Sequence, residues 1–453
     1  MGLGVFRRRA VDGGGARHLR GDPAARTGGR PRTTGTAGPG IEVIVGTALL
    51  TDTVRLPARG IVVSALGVAQ ILAWGTSFYL PAVLAKPIAD DTHWPLAWVV
   101  GAVSMGLLLS GLIAPRVGRL IDRTGGRPVL ATSAVLIASG HVILAVAPHL
   151  LVYILGWLVM GLGMGCGLYD ATFSTLGRLY GRSARTAITG LTLWGGFAST
   201  VCWPLSAWLV TLVGWRGTCL VYAALHLAIV LPLYLLVLPR RPAGAAADAK
   251  PAGKATPDGD ARREVAAGKR TIVFGLLAVV FTAAGMIMSL WSVHLLTMLQ
   301  GIGVSLAAAV ALGTLVGPAQ VGARIVEMLV SRYHLHPIWT QAASSTLVAT
   351  GLVCLALGMP VLAVALIVYG AGSGLSSIAR GTLPLALFGP EGYATLTGKL
   401  AMPGLIAAAV APTLGAVLLD HVGAHGTLMA LASIAIANLL LVALLGLLVR
   451  PAT

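Results

Sequence analysis

The chain has 453 residues, 56% of them hydrophobic and only 10% charged, with a mean hydropathy of +0.86 and a formal net charge of +17. No soluble domain of this size has that composition, and the basic residues sit in loops and the N-terminal segment, where membrane topology explains them better than nucleic-acid binding does. The four cysteines, Cys166, Cys202, Cys219 and Cys354, lie inside apolar runs at spacings that suit packing rather than a metal cluster or a disulfide framework.

Residues 1–58 are rich in Gly, Arg and Thr, with Arg7, Arg8 and Arg9 near the start. They read as a basic disordered cytoplasmic tail, or as an overlong gene start. Apolar runs then recur near 60–85, 95–117, 128–147, 150–178, 185–212 and 216–238, and again near 271–298, 304–326, 338–357, 360–386, 394–419 and 425–449. About 20 apolar residues cross a bilayer, so these predict an all-α integral membrane protein with twelve transmembrane helices. The Ala-, Gly- and Lys-rich stretch 240–270 reads as a cytoplasmic linker between a first six-helix half, 59–239, and a second, 271–450. Alternate loops carry arginines: Arg116, Arg119, Arg123 and Arg127, then Arg178, Arg182 and Arg185, then the linker. Basic loops stay inside, so both termini are expected on the cytoplasmic side of the inner membrane.

The two halves repeat each other. Gly161-Leu-Gly163-Met-Gly165 in span four recurs as Gly370-Ala-Gly372-Ser-Gly374 in span ten, 209 residues on. Thr189, Gly190, Gly196 and Pro204 recur as Thr397, Gly398, Gly404 and Pro412 at an offset of 208, and Gly217-Thr218 as Gly426-Thr427 at 209. Such halves imply a pseudo-two-fold axis with a substrate site between them.

Between spans two and three lies a short polar bridge built on Gly118, Asp122, Arg123, Gly125 and Arg127. It resembles the loop signature of the major facilitator superfamily, which runs Gly, three residues, Asp, Arg or Lys, any residue, Gly, then basic residues. The resemblance implies that this hinge loop latches the two halves on the cytoplasmic side, with Asp122 as the latching group. Near Glu327 to Pro337 only Arg332 and Pro337 remain of the pattern, so the loop is an asymmetric feature on a symmetric frame.

A charge near the bilayer centre costs at least about 2.5–3.5 kcal/mol, which makes charges inside spans the first functional candidates. Arg324 in span eight either holds a substrate carboxylate with paired hydrogen bonds or snorkels to the inner surface, paired with Glu327. Gln320 stands one turn before it. This segment is similar to span eight of the monocarboxylate transporters, where an Asp, three residues and an Arg handle proton and substrate; Gln320 replaces the Asp. In span one, Gly75-Thr-Ser77-Phe-Tyr79-Leu-Pro81-Ala82 resembles the same family's motif, with Ala82 in place of its Lys. Bacterial oxalate–formate antiporters are also similar, and they imply a Lys in span eleven, for which Lys399 is the candidate or else a snorkelling residue. Asp170 and Arg380 follow the paired glycine runs and form either a charge pair or gate across the cavity, or two groups facing cytoplasmic water. Trp74, Phe78, Tyr79, Trp194, Trp291 and His294 are candidates to line the path, or belong to the aromatic belts at the membrane interfaces. His141 and His226 read as packed or interfacial.

These features combine into a secondary active transporter, not an enzyme, that moves a small organic anion (a mono- or dicarboxylate) by alternating access with proton symport or anion exchange. No cofactor or metal is expected, and the partners are the substrate, protons and the lipid bilayer, not nucleic acid. The alternative is a proton-coupled drug or toxic-compound efflux pump. Such pumps resemble one another in an Arg early in span four, where Trp157 stands, and in glycines about a Gly-Pro late in span five, which Trp203-Pro204-Leu205 lacks. A sensor or intramembrane enzyme would show a His/Asp/Glu cluster at helical spacing, and none is evident; nor does a nucleotide-binding Gly-x-x-x-x-Gly-Lys-Ser/Thr loop occur.

Overall fold

The computed structural model describes residues 58–240, 267–331 and 336–449, which are almost entirely helical. The expected tail and most of the expected linker lie outside the described residues. Among the described residues, nine helical runs are long and apolar enough to cross a membrane by length and composition. Two of them hold more than one crossing, and the whole resolves into twelve crossings in two six-helix halves. The first crossing is α1 (Arg59–Thr76) with α2 (Pro81–Thr92); α3 (Leu96–Thr124) and α4 (Gly126–Val146) follow. The fourth is α5 (Leu150–Gly167) with α6 (Tyr169–Tyr180). The fifth is α7 (Ala184–Gly195) with the first part of α8 (Ala198–Leu225). The sixth takes the rest of α8, a π-helical turn His226–Val230, and α9 (Leu231–Val237). In the second half come α10 (Arg270–Gly301), α11 (Leu306–Gly313) with α12 (Val316–Val330), α13 (Pro337–Ala356) and α14 (Leu362–Phe388). Last, α15 (Tyr393–Val449) holds crossings eleven and twelve. The chain reverses inside α8 at Gly214 (φ 67°) and inside α15 at Gly423 (φ 68°), a left-handed conformation that glycine alone adopts freely. These two turns are 209 residues apart, which is the offset of the sequence repeat.

The repeat has a packing cause. With lipid on all sides, helices associate by close backbone approach at small residues. In α5, Gly161 meets the Gly106 backbone of α3, and Gly163 meets Ile137 of α4. In α14, Gly370 meets Val316 of α12, and Gly372 meets Ser344 and Val348 of α13. So crossing four sits between two and three as crossing ten sits between eight and nine. Leu151, Leu236 and Leu440 stay exposed on the perimeter, as hydrocarbon contact allows.

The halves meet along α3 and α15. A Cβ at Gly118 would collide with the Ala394 carbonyl, while Ala409, further along α15, is buried in the first half's apolar core. At the end bearing the arginine loops, α6 and α7 also pack on α12, α14 and α15. At the other end, α2, α8 and α11 pack chiefly within their own halves. The interface is therefore closed at the basic end and loose at the opposite one.

Candidate functional site

Between the halves lies a cavity of about 130 Å³, room for roughly ten water molecules. Helix interruptions build much of its wall. The first crossing breaks after Thr76, the fourth at Leu168, the fifth after Gly195 and the eighth after Gly313. The first three of these breaks bring Tyr79, Tyr169, Asp170 and Gly196 to the cavity, and α12 adds Gln320 and Arg324. Irregular backbone at membrane depth is tolerated where it lines a cavity and its polar groups find partners. Here Gln70, fully buried, donates to the Gly167 carbonyl at 2.6 Å and to Thr172 Oγ1 at 2.9 Å, and accepts from Trp74 Nε1 at 3.1 Å. Trp74 in turn packs against Tyr169 in a tilted contact, with ring centres 4.9 Å apart. Glycine at 195 leaves the space that the Tyr169 hydroxyl enters.

Arg324 is 5% exposed. Its Nε donates to the Gly374 carbonyl at 3.2 Å, and a terminal nitrogen donates to the Thr192 carbonyl of the other half at 3.1 Å. Glycine at 196 makes room for this guanidinium, since a Cβ would occupy its place. Among the described residues no carboxylate lies within ion-pair distance of it. Glu327, its partner in the snorkelling reading, instead accepts from Thr340 Oγ1 at 2.6 Å and pairs with Arg185 at 3.8 Å. The charged lining residues are Asp170, Arg324 and Arg380. Asp170 and Arg380 neutralise each other through two parallel hydrogen bonds of 2.9 Å each. What remains is one net positive charge in a low-dielectric space.

The expected hinge loop lies below this cavity, at the closed end, but Gly118, Asp122 and Arg123 belong to the last turns of α3, and the turn itself is Gly125. The Asp122 carboxylate accepts from the backbone N–H and the hydroxyl of Thr395, in the first turn of α15. The first turn of a helix carries unpaired N–H groups and a positive dipole end, so a carboxylate suits it. Arg178 donates to the Asp122 carbonyl. Arg127 donates through Nε and a terminal nitrogen to the Leu235 carbonyl, at 3.1 and 2.7 Å, closing the last turn of α9. Gly125, at φ 83°, makes the turn, and Arg123 is exposed. Across the closed end, Asp122–Thr395, Asp170–Arg380 and Arg185–Glu327 each join the two halves.

Of the residues proposed from sequence, Arg324, Gln320, Tyr79, Asp170 and Arg380 share the cavity wall. Trp74 lines it as well, whereas Phe78, packed edge-on to Trp74 with ring centres 5.4 Å apart, does not. Four others also stand away from it, and each has a physical reason. Trp194 is 37% exposed and lies in the groove opened by Gly67. Trp291 is buried against Tyr369, ring centres 4.4 Å apart. His294 donates from Nε2 to the Pro412 carbonyl at 2.7 Å, tying α10 to α15. Lys399 is exposed. His141 and His226 are both buried outside the cavity, each bonded to Thr76 at 2.9 Å. Sequence reading passed over Tyr169, Gln341, Ser373 and Asn438, all of which line the cavity. Uncharged amides inside apolar spans were the available signal.

The Major Facilitator Superfamily model matches residues 65–398, well over half of the chain. The chain belongs to the Major Facilitator Superfamily. The superfamily fold is shared with the crystal structure of the human organic anion transporter MFSD10 (TETRAN): the TM-score is 0.67 at 17% identity, over 85% of this chain and all of that one. In sequence, the Transcription regulatory protein OpdE of Pseudomonas aeruginosa is 34% identical over 181 residues, 38% of this chain and 42% of that protein. Monocarboxylate transporter 11 of Homo sapiens is 34% identical over 157 residues, 32% of this chain and 31% of that protein. The chain thus matches less than half the length of these relatives. It is a multi-pass membrane protein of the superfamily, and it resembles the monocarboxylate transporter branch.

Proposed function

We infer that this protein is a secondary active transporter for a small organic anion, working by alternating access. Arg324 is the observation that carries the reading. A guanidinium has five N–H donors, and only two are taken by the Thr192 and Gly374 carbonyls. The rest serve a carboxylate, which also supplies the missing counter-charge. Gln320, bonded to Ser373 at 3.4 Å, lies one turn away and orients the bound anion. The arginine-loop end faces the cytoplasm of the inner membrane, with both ends of the membrane domain on that side, because basic loops are retained there. The closed end is then the inner one, and the protein stands outward-facing. Inward opening must break the Asp122, Asp170 and Arg185 ties together. The cycle runs by proton symport or by exchange of one anion for another.

A second reading follows from the name of one relative, the regulatory protein OpdE. In that reading the same cavity senses its ligand and reports it without net transport. Counterflow in proteoliposomes separates the two, using a panel of carboxylates and cationic drugs with and without a pH gradient. Carboxylate exchange abolished in Arg324→Ala is the expected result. Cation efflux indifferent to Arg324 overturns the anion reading, and ligand binding without any counterflow favours the sensor.

A further inference from the structure

Beyond Arg324 the cavity reaches into the second half, to a recess lined by Gln341, Ser344 and Ser345 of α13, Ser373 and Ser377 of α14, and Asn438 of α15. Gln341 is 1% exposed and Asn438 5%. The side-chain oxygen of each is buried without a hydrogen-bond partner among the described residues. Gln341 spends its nitrogen on Ser345 Oγ at 3.1 Å; Asn438 makes no side-chain hydrogen bond to any described residue. Two of the four serine hydroxyls are committed as donors, Ser344 to the Gly372 carbonyl at 2.7 Å and Ser377 to the Gly374 carbonyl at 2.8 Å, while Ser345 and Ser373 accept from Gln341 and Gln320. Their oxygens keep lone pairs. Among the described residues the recess therefore holds two unpartnered amide oxygens beside uncommitted donors on Ser345, Ser373 and the amide nitrogens, a mixed set that needs a ligand able both to donate and to accept.

Buried polar groups are normally paired, so such a recess calls for a ligand that brings hydrogens. Three kinds of group do so: an ammonium, a metal cation's bound waters, and a hydroxyl. The net positive charge left by Arg324 disfavours the two cationic ones. A hydroxyl also both donates and accepts, so it satisfies an amide in either of its orientations. The same cavity is also lined by the aromatic side chains of Trp74, Tyr79 and Tyr169, which suit the C–H face of the same molecule.

We propose that the Gln341–Asn438 recess is a hydroxyl-binding subsite, and that the substrate is a polyhydroxylated carboxylate rather than a plain alkyl acid. This rests on the anion reading for its charged end only. The test is counterflow in proteoliposomes with D-gluconate, hexanoate and sorbitol, which separate the carboxylate from the hydroxyls at one chain length. Gluconate is expected to exchange at least tenfold faster than hexanoate. In Gln341→Leu with Asn438→Leu that preference collapses to within about twofold, because a site with unpaired acceptors is what rejects the alkyl analogue. Equal exchange of gluconate and hexanoate by the wild type overturns the subsite while leaving the anion reading intact. Exchange of sorbitol but of neither acid keeps the subsite and overturns the anion reading; exchange of none overturns both. Thermal unfolding of the purified leucine variants provides the control for folding. Replacing amides whose buried oxygens lack partners, at the loss of one bond from Gln341 to Ser345, is expected to leave the midpoint within a few degrees, so a preference kept in a stable double variant also overturns the proposal.

Discussion

Crossings four and ten carry the same Gly-x-Gly-x-Gly run 209 residues apart, and in both the alternate glycines admit two neighbouring helices. Five residues past the last of these glycines the first half presents Asp170, and six past it the second half presents Arg380. The same divergence runs along the whole cavity. The first half contributes one acid, and the second contributes both arginines and the amides, while aromatic rings come from both, Trp74, Tyr79 and Tyr169 against Phe281 and Tyr369. Positions that face a neighbouring helix have kept the repeat, because a close backbone approach leaves no room for a larger side chain. Positions that face the cavity have parted, which makes the site electrically one-sided. In the proposed cycle the anion rests on the second half, and the first half supplies the acid that closes the inner end.

Arg324→Ala attacks that one-sidedness most directly. Removing a buried charge partner costs about 2–5 kcal/mol, so carboxylate exchange at low substrate should fall from roughly thirty-fold to several thousand-fold. Unchanged exchange would place the anion elsewhere. The shared frame is tested by Gly161→Val and Gly370→Val, each of which drives a side chain into the opposing backbone. Both should destabilise by about 1–3 kcal/mol, read as matched drops in unfolding temperature in detergent. A drop in only one would show that the halves do not depend on this packing alike. Asp170→Arg or Arg380→Asp should each cost about 1–3 kcal/mol in the closed state, discounted because the pair is partly exposed. Combining them should restore most of the transport lost by either; a double variant as dead as the singles removes the pair from the gate. Asp122→Asn loses only the charge–dipole part of its bond to α15, about 0.3–1 kcal/mol. Cysteine labelling at the arginine-loop end should rise severalfold while substrate preference holds. Lys399→Ala, on an exposed side chain, should change exchange less than about twofold.

Much of this molecule is legible in its amino-acid order. Hydropathy locates the twelve crossings to within a few residues, apart from the first two, which run on to Thr92 and Thr124. A constant offset of glycines and prolines reveals the repeat, and one loop motif points to the superfamily. Arg324, Asp170 and Arg380 stand out because a charge inside an apolar run is costly wherever the helix points.

The sequence by itself determined where the chain crosses the membrane, how its halves correspond and which residues are expensive to bury, since each depends on local composition. It did not determine which face of each helix looks inward. Helices such as α10 and α15 are apolar around much of their circumference and carry no stripe that marks a face. Their rotation is set by neighbours many residues away. Only the tertiary structure decided that Trp194 leans on Gly67 and that Trp291 and His294 are bound up with neighbouring helices. It alone showed Glu327 taken by Arg185, leaving Arg324 without a carboxylate partner among the described residues. The amides of Gln341 and Asn438, unremarkable as letters, became informative through the burial of their unpartnered oxygens in one shared cavity.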